Sequence, residues 1–339
     1  MKCRVIGIDL AKSVFQACGV NQHLKPLFNQ KLSRRDFYAF MAQQPPTQVV
    51  MEACYSSHYW GRELTQLGHT VRLIPAQHVT PFVRGNKNDR NDALAIVEAS
   101  QRPNIRFVPI KTQAQQEVMA LHRIRERLIK NKTALTNQAH GLLSDFGIIF
   151  SPGERCFSVM AHIVAVSSQV SQNIKSLVAM LHEEFLALKA KLKVIESKLK
   201  QNLTQFPQAD ILLSVPGIGY IIASALIACI DKGQAFQSAK DFAVWLGITP
   251  RQYASGAHSY MGKISKRGNR YLRKQLIHGA RAVLNRYKND QDALKIWGET
   301  VAHRRGFNKA VVAIAHKLAR IVWHLLQKDV MYQPQPIKA

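Results

Sequence analysis

Residues 1–110 alternate short apolar runs with longer amphipathic ones. Arg4-Val5-Ile6-Gly7-Ile8-Asp9 is a short apolar run closed by an acid, and Gln48-Val49-Val50-Met51-Glu52 repeats that design. Both predict strands, as do the β-rich stretch 14–20 and the run 70–74. Ser33 before Arg34-Arg35-Asp36 marks a helix start, residues 57–67 predict a helix stopped at Gly68, and 93–100 predict another just past Asp89 and Asp92. Strands alternating with helices predict an α/β unit, a sheet covered by helices.

From Thr112 to Ser144 the pattern turns helical and basic. A sharper helical block follows, in which Val178, Leu181, Phe185, Leu188, Leu192, Ile195 and Leu199 step alternately by three and four residues. Such an a/d seam predicts a coiled coil, either against 112–144 of the same chain or between two copies; a long core helix is the plainer alternative. Ser151-Pro152-Gly153 breaks the two blocks apart, and Phe206-Pro207 ends the second. Residues 208–330 read as mostly helical. The chain thus divides into an α/β domain (1–110), a helical coiled-coil region (111–206), a mostly α C-terminal domain (207–330) and a loose tail (331–339).

Charge changes the picture next. Lys and Arg total 47 against 21 Asp and Glu, a formal charge of +26. That excess repels itself unless it meets a polyanion, and phosphate backbones are the usual one. The five cysteines are odd in number and unpatterned, which excludes a disulfide framework or a structural zinc site. The N-terminus has charges inside its apolar stretch, and no apolar run reaches a bilayer's width, so a cytoplasmic protein with no membrane partner is expected.

In so basic a chain, the positions of four acids stand out. Asp9 and Glu52 each close a predicted strand, where open α/β sheets place their sites. Asp89 and Asp92 are three apart at a helix start, so they project from one face. Clustered carboxylates repel unless a cation neutralises them, and hard divalent ions such as Mg²⁺ accept oxygen ligands of this kind. Taken singly, each acid is more simply a cap or a surface charge.

Val215-Pro216-Gly217-Ile218-Gly219 fits the turn of a helix-hairpin-helix, in which Gly217 and Gly219 permit close backbone approach and helix N-terminal amides hold a phosphate. Packing alone also explains such turns. Between Phe242 and Asn289 there is no Asp or Glu, yet ten Lys or Arg occur, among them Arg251, Lys263, Lys266, Arg267, Arg270, Arg273 and Lys274. Solvated faces normally mix signs, so this one-sign stretch predicts nucleic-acid contact. A helix over 269–287 carries part of it. Ser255, before Gly256 in a predicted loop, is a weak nucleophile candidate on residue type alone.

Assembled, these residues make the chain resemble the DEDD-type insertion-sequence transposases related to the Piv (Piv/MooV) DNA invertase. The matching motifs are GIDLAK at 7–12, VVMEAC at 49–54, NKNDRNDA at 86–93, SVPGIG at 214–219, LGITPRQYASG at 246–256 and ISKRGNRYLR at 264–273. The resemblance implies a RuvC-like, ribonuclease-H-type N-terminal domain, a coiled-coil linker and a C-terminal transposase domain. It implies that Asp9, Glu52, Asp89 and Asp92 bind Mg²⁺ (or Mn²⁺) and that Ser255 forms a covalent bond to DNA. It further implies a homo-oligomer, dimer or tetramer, with active sites shared between subunits, and a structured guide RNA pairing with donor and target DNA. Tyr55 departs from the pattern, where a small residue is expected. Two other readings compete: a RuvC-like junction nuclease that uses metal-activated water, and a non-catalytic nucleic-acid-binding scaffold.

Overall fold

The computed structural model describes residues 3–84, 88–151, 153–256 and 258–334. Its contacts divide the chain after Gln113 into two compact units.

The first unit is a five-stranded mixed sheet. Strands β1 (Val5–Leu10), β2 (Val14–Val20) and β3 (Pro26–Ser33) form an antiparallel meander. Helix α1 (Arg34–Ala42) then leads to β4 (Gln48–Glu52), which lies parallel to β1 with Met51 opposite Ile8. Helix α2 (Ser57–Gln66) leads to β5 (Thr70–Ile74), parallel to β4, so the sheet order is β3-β2-β1-β4-β5. A short α3 (Ala76–Val79) precedes α4 (Asp89–Ser100). Strand β3 has no counterpart in the sequence reading, because its largely exposed edge position leaves it without an apolar run.

Side-chain alternation gives the sheet two distinct faces. Ile6, Ile8, Val49 and Met51 pack with Phe37 of α1 and Trp60 of α2. Val5, Cys18, Val20 and Val50 face the other way, against Ala93, Ile96 and Val97 of α4. Parity therefore puts Gly7, Asp9 and Glu52 on the α4 side.

In the second unit, α5 (Gln113–Ser144) and α7 (Gln172–Leu203) are each 32 residues long, with α6 (Glu154–Val166) between them. The predicted seam is covered from within the chain: Val178, Phe185, Leu188 and Leu192 join Leu128, Leu135 and Leu143 of α5 and Phe157 and Met160 of α6 in one apolar cluster. Arg125 of α5 pairs at 2.8 Å with Glu196 of α7, and Val118, earlier in α5, clusters with Leu199, later in α7, so the two long helices run antiparallel there. Then come α8 (Ala209–Leu213), α9 (Tyr220–Ile230) and α10 (Ala239–Leu246). A hairpin of β6 (Pro250–Ser255) and β7 (His258–Ile264) interrupts the helices, where the sequence predicted a loop. It escapes pattern analysis because β6 is exposed along its whole length and β7 along most of its own, leaving no alternation of apolar and polar residues. Helices α11 (Arg270–Arg286), α12 (Ala293–Arg305) and α13 (Phe307–Lys328) complete a core that also holds α8–α10. Tyr332, in the segment expected to be loose, is tied down: its backbone N–H donates to Ser214 Oγ and its hydroxyl to the buried Asp292 carboxylate.

A buried polar relay joins α5, α9 and α11. Ser224 donates to the Tyr220 carbonyl at 2.6 Å, so it accepts from His122 Nε2 at 3.0 Å. His122 Nδ1 then accepts from the Tyr271 hydroxyl at 2.8 Å. Burial, reinforced by Arg125, pushes the His122 pKa down to about 4. An unfolded histidine titrates near 6.5, so between these values the unfolded chain binds the extra proton. The stability from neutral His122 is complete above about pH 6.5 and is lost as pH falls toward 4, by roughly 3 kcal/mol. Denaturant titrations at pH 7 and pH 4.5 should show this acid loss in the wild type and a smaller one in His122→Gln. Equal losses would mean that His122 does not titrate in this range.

Candidate active site

The ladder that sets Ile8 opposite Met51 continues to Asp9 beside Glu52, at the C-terminal ends of adjacent parallel strands. Both side chains are half-buried. Helix α4 supplies the other two acids. It begins at Asp89, four residues earlier than the apolar pattern suggests, because the Asn88 side chain accepts from the Asn91 N–H and caps it. Asp89 and Asp92 occupy the first turn, where the helix dipole favours negative charge.

Gly7 lets this helix come close. A Cβ at Gly7 would fall 2.6 Å from the Ala93 carbonyl oxygen and 2.5 Å from Val97 Cγ2, so any side chain there would push α4 off the sheet. Pattern reading did not single out Gly7, although a glycine inside an apolar strand is the signal for such an approach.

The proximity is electrostatically visible. The Asp9 pKa is pushed up to about 6, first by burial and then by the charges of Asp92, Asp89 and Glu52. Among the described residues, no three Asp, Glu, His or Cys side chains close onto one metal-binding point. The acids share one face within charge–charge range of Asp9. A set of four carboxylates is the donor chemistry that hard divalent cations take, so it fits such an ion. Tyr55 is 68% exposed and projects into solvent, away from the core behind Glu52.

Beside the acids a cleft of about 730 Å³ opens, lined by Gln16, Asn29, Lys31, Asn88, Asp89, Arg90, Asn91 and Leu94. Gln16 Nε2 donates to Asn29 Oδ1 at 2.6 Å, and Asn29 donates to the Arg90 carbonyl at 3.1 Å. The meander is thereby laced to the start of α4. Asp89 and its motif were legible in sequence, but the opposite wall formed by Asn29 and Lys31 was not, because β3 itself was not. Residues 86 and 87 of the NKNDRNDA motif lie outside the described residues.

The remaining predicted residues belong to the second unit. Ser255 ends β6 and faces His258 across the ribbon, with Gly256 at positive φ in the turn. Arg251, Lys263, Lys266, Arg267 and Arg270 are exposed. Arg273 and Lys274 are engaged within the protein: Arg273 donates to the carbonyls of Leu246 and Arg267, and Lys274 pairs with Glu126 at 2.8 Å. Gly217 has φ +79°, and the backbone it approaches is that of Gly279 on α11. Gly219 precedes α9 with open space around it.

Comparison with known proteins identifies the family. Residues 6–148 match the DEDD_Tnp_IS110 transposase family, and residues 209–295 match the family described as Transposase IS116/IS110/IS902. A "Probable family 20 transposase" of Pseudomonas aeruginosa is 42% identical over 97% of this chain and 98% of its own length. The "Transposase for insertion sequence element IS1111A" of Coxiella burnetii is 37% identical over 97% and 91%. A "Pilin gene-inverting protein" of Moraxella lacunata is 22% identical over 96% of both chains. Together these matches define the class, an enzyme that cleaves and recombines DNA. The chain belongs to the IS116/IS110/IS902 family of insertion-sequence transposases, whose DEDD type suggests dependence on a divalent metal.

Two expectations follow from the carboxylate geometry. Gly7→Ala should destabilise the first unit by about 1–3 kcal/mol, the usual cost of overpacking, and should lower strand-transfer activity by displacing α4. Thermal unfolding and an excision assay check this; a variant as stable and active as wild type would show that α4 does not depend on the contact. With chelator present at pH 7.5, Asp9→Asn should raise stability by roughly 1–2 kcal/mol, allowing for partial exposure, because it removes a charge that is disfavoured by burial and then by three neighbouring carboxylates. No gain in unfolding midpoint would mean that the ionised Asp9 carboxylate is not destabilised at this place.

Proposed function

We propose that this transposase cuts and rejoins DNA strands through a metal-binding carboxylate set and a serine nucleophile. The observation that carries the reading is the convergence of Asp9, Glu52, Asp89 and Asp92 on one sheet face in a chain of charge +26. The antiparallel meander followed by two parallel strands supports a RuvC-like first domain over 1–110, followed by a helical region over 111–206 and a transposase domain over 207–330. Asp9, Glu52, Asp89 and Asp92 would hold Mg²⁺ or Mn²⁺. When bound, such an ion stabilises charge on a scissile phosphate and favours ionisation of an attacking hydroxyl.

Ser255 Oγ would attack phosphorus, forming a serine–phosphate ester while the leaving DNA hydroxyl takes up a proton. A second strand's hydroxyl then attacks that ester, releasing the serine and sealing the strands. His258, the cross-strand neighbour of Ser255, would accept the serine proton. Exposed Arg251, Lys263, Lys266, Arg267 and Arg270 would neutralise backbone phosphates. The Gly217–Gly219 turn is a further candidate contact through Gly219 and the start of α9. A structured guide RNA from the element and a homo-oligomeric assembly complete the reading.

The test is excision and joining from a plasmid carrying the element with its flanking DNA. Ser255→Ala and Asp89→Ala should each lower joining by at least a hundredfold while nucleic-acid binding survives. A covalent protein–DNA adduct should be trappable with wild type and absent with Ser255→Ala. Joining undiminished in Ser255→Ala would replace the serine step with hydrolysis by metal-activated water.

A further inference from the structure

The β6–β7 ribbon carries a second feature on the face that holds Ser255. Tyr253 lies two residues before Ser255, and Tyr260 lies two after His258, so alternation puts all four side chains on one side. The two tyrosine rings stack, with centroids 4.9 Å apart and planes 13° from parallel. Behind them Gly262 leaves room for Tyr253: a Cβ there would sit 2.9 Å from Tyr253 Cε2. Tyr253 is therefore held between Gly262 and Tyr260, and the stack has one open end.

That end is solvent-facing. Tyr253 is 44% exposed and Tyr260 63%, on strands that bury almost nothing. Their stacking braces the ribbon, but leaves a large aromatic face in water on a strand that also carries exposed Arg251, in a stretch without a single acid. A flat π-face on a ribbon within a basic, acid-free stretch matches an unpaired nucleobase with its phosphates.

We infer that the Tyr253–Tyr260 stack receives one unpaired base of the DNA strand and so sets the strand's register at Ser255. The inference rests on the reading of Ser255 as the residue that meets DNA, and that is why the occupant is a DNA strand rather than RNA. Along the strand, Tyr253 and Ser255 are about 7 Å apart, two residues of extended chain. That is about two phosphate steps of a stacked strand, so a base on Tyr260 brings a phosphate within one or two nucleotides to the serine.

The probe is a short single-stranded oligodeoxynucleotide, its abasic counterpart, and a copy bearing 5-iododeoxyuridine, used with the full chain at a salt concentration that suppresses backbone-only binding. Tyr260→Ala should weaken binding of the normal strand roughly 5- to 150-fold, the range for losing one base–aromatic stack, and should barely change binding of the abasic strand. Tyr260→Phe should bind like wild type, and ultraviolet crosslinking should map to Tyr253 or Tyr260. Equal weakening of both strands by Tyr260→Ala, or none, would overturn the inference, as would tighter and equally tyrosine-dependent binding of the matching RNA. Ser255→Ala, taken through this binding assay and the joining assay above, separates the two readings. If it binds normally but cannot join while Tyr260→Ala binds like wild type, the platform alone fails. If Ser255→Ala joins like wild type, the nucleophile reading fails.

Discussion

The close seating of α4 on β1 is the constraint on which the first unit depends. Gly7 leaves a gap that Ala93 and Val97 fill, and strand parity sends Asp9 and Glu52 to that same face. The apolar contact holds the helix; the helix start then delivers Asp89 and Asp92 against charges that oppose them. The raised pKa of Asp9 reflects its burial first and then that opposition. Folding energy from the apolar layer thus sustains an acidic cluster that would otherwise disperse, and a cluster under repulsion is prepared to bind a cation.

The second unit uses close backbone approach for a different end. Gly247 and Gly268, both at positive φ, let the end of α10, residues 245–247, cross tightly over residues 267–268, and Arg273 donates to Leu246 and Arg267 across the same junction. The basic loop after the ribbon is therefore pinned at its base, so Lys266, Arg267 and Arg270 stand at fixed positions. Cations held in place cost little ordering when they meet phosphate, whereas a loose basic tail must first be ordered. Within the one-sign stretch, Arg273 and Lys274 hold the protein together, and the exposed remainder faces outward. The His122 relay adds a neutral, fully hydrogen-bonded anchor between α5 and the helices behind the ribbon.

Much of this was legible in the sequence. The strands closing in Asp9 and Glu52, the seam from Val178 to Leu199, and the helix carrying Arg270 to Arg286 follow from apolar periodicity, because each buries one face. The acids were legible because they punctuate apolar runs in an acid-poor chain, and the charge asymmetry because it is a sum over residues. What periodicity cannot see are elements without a buried face: edge strand β3 and the exposed ribbon β6–β7. With those strands went the cleft of Gln16, Asn29 and Arg90 and the pairing of Tyr253 with Tyr260.

By itself, then, the sequence determined the α/β and helical halves, the basic character, the ordered motifs of a transposase and the candidate acids and serine. Only the tertiary structure decided which side chains meet. It put Gly7 under α4, Gly217 against Gly279, Arg273 onto backbone carbonyls, and Tyr253 and Tyr260 on the Ser255 face. The reason is physical. Periodicity is local and records only whether a position is buried, whereas a meeting of residues distant in sequence depends on strand register and on how closely two backbones can approach.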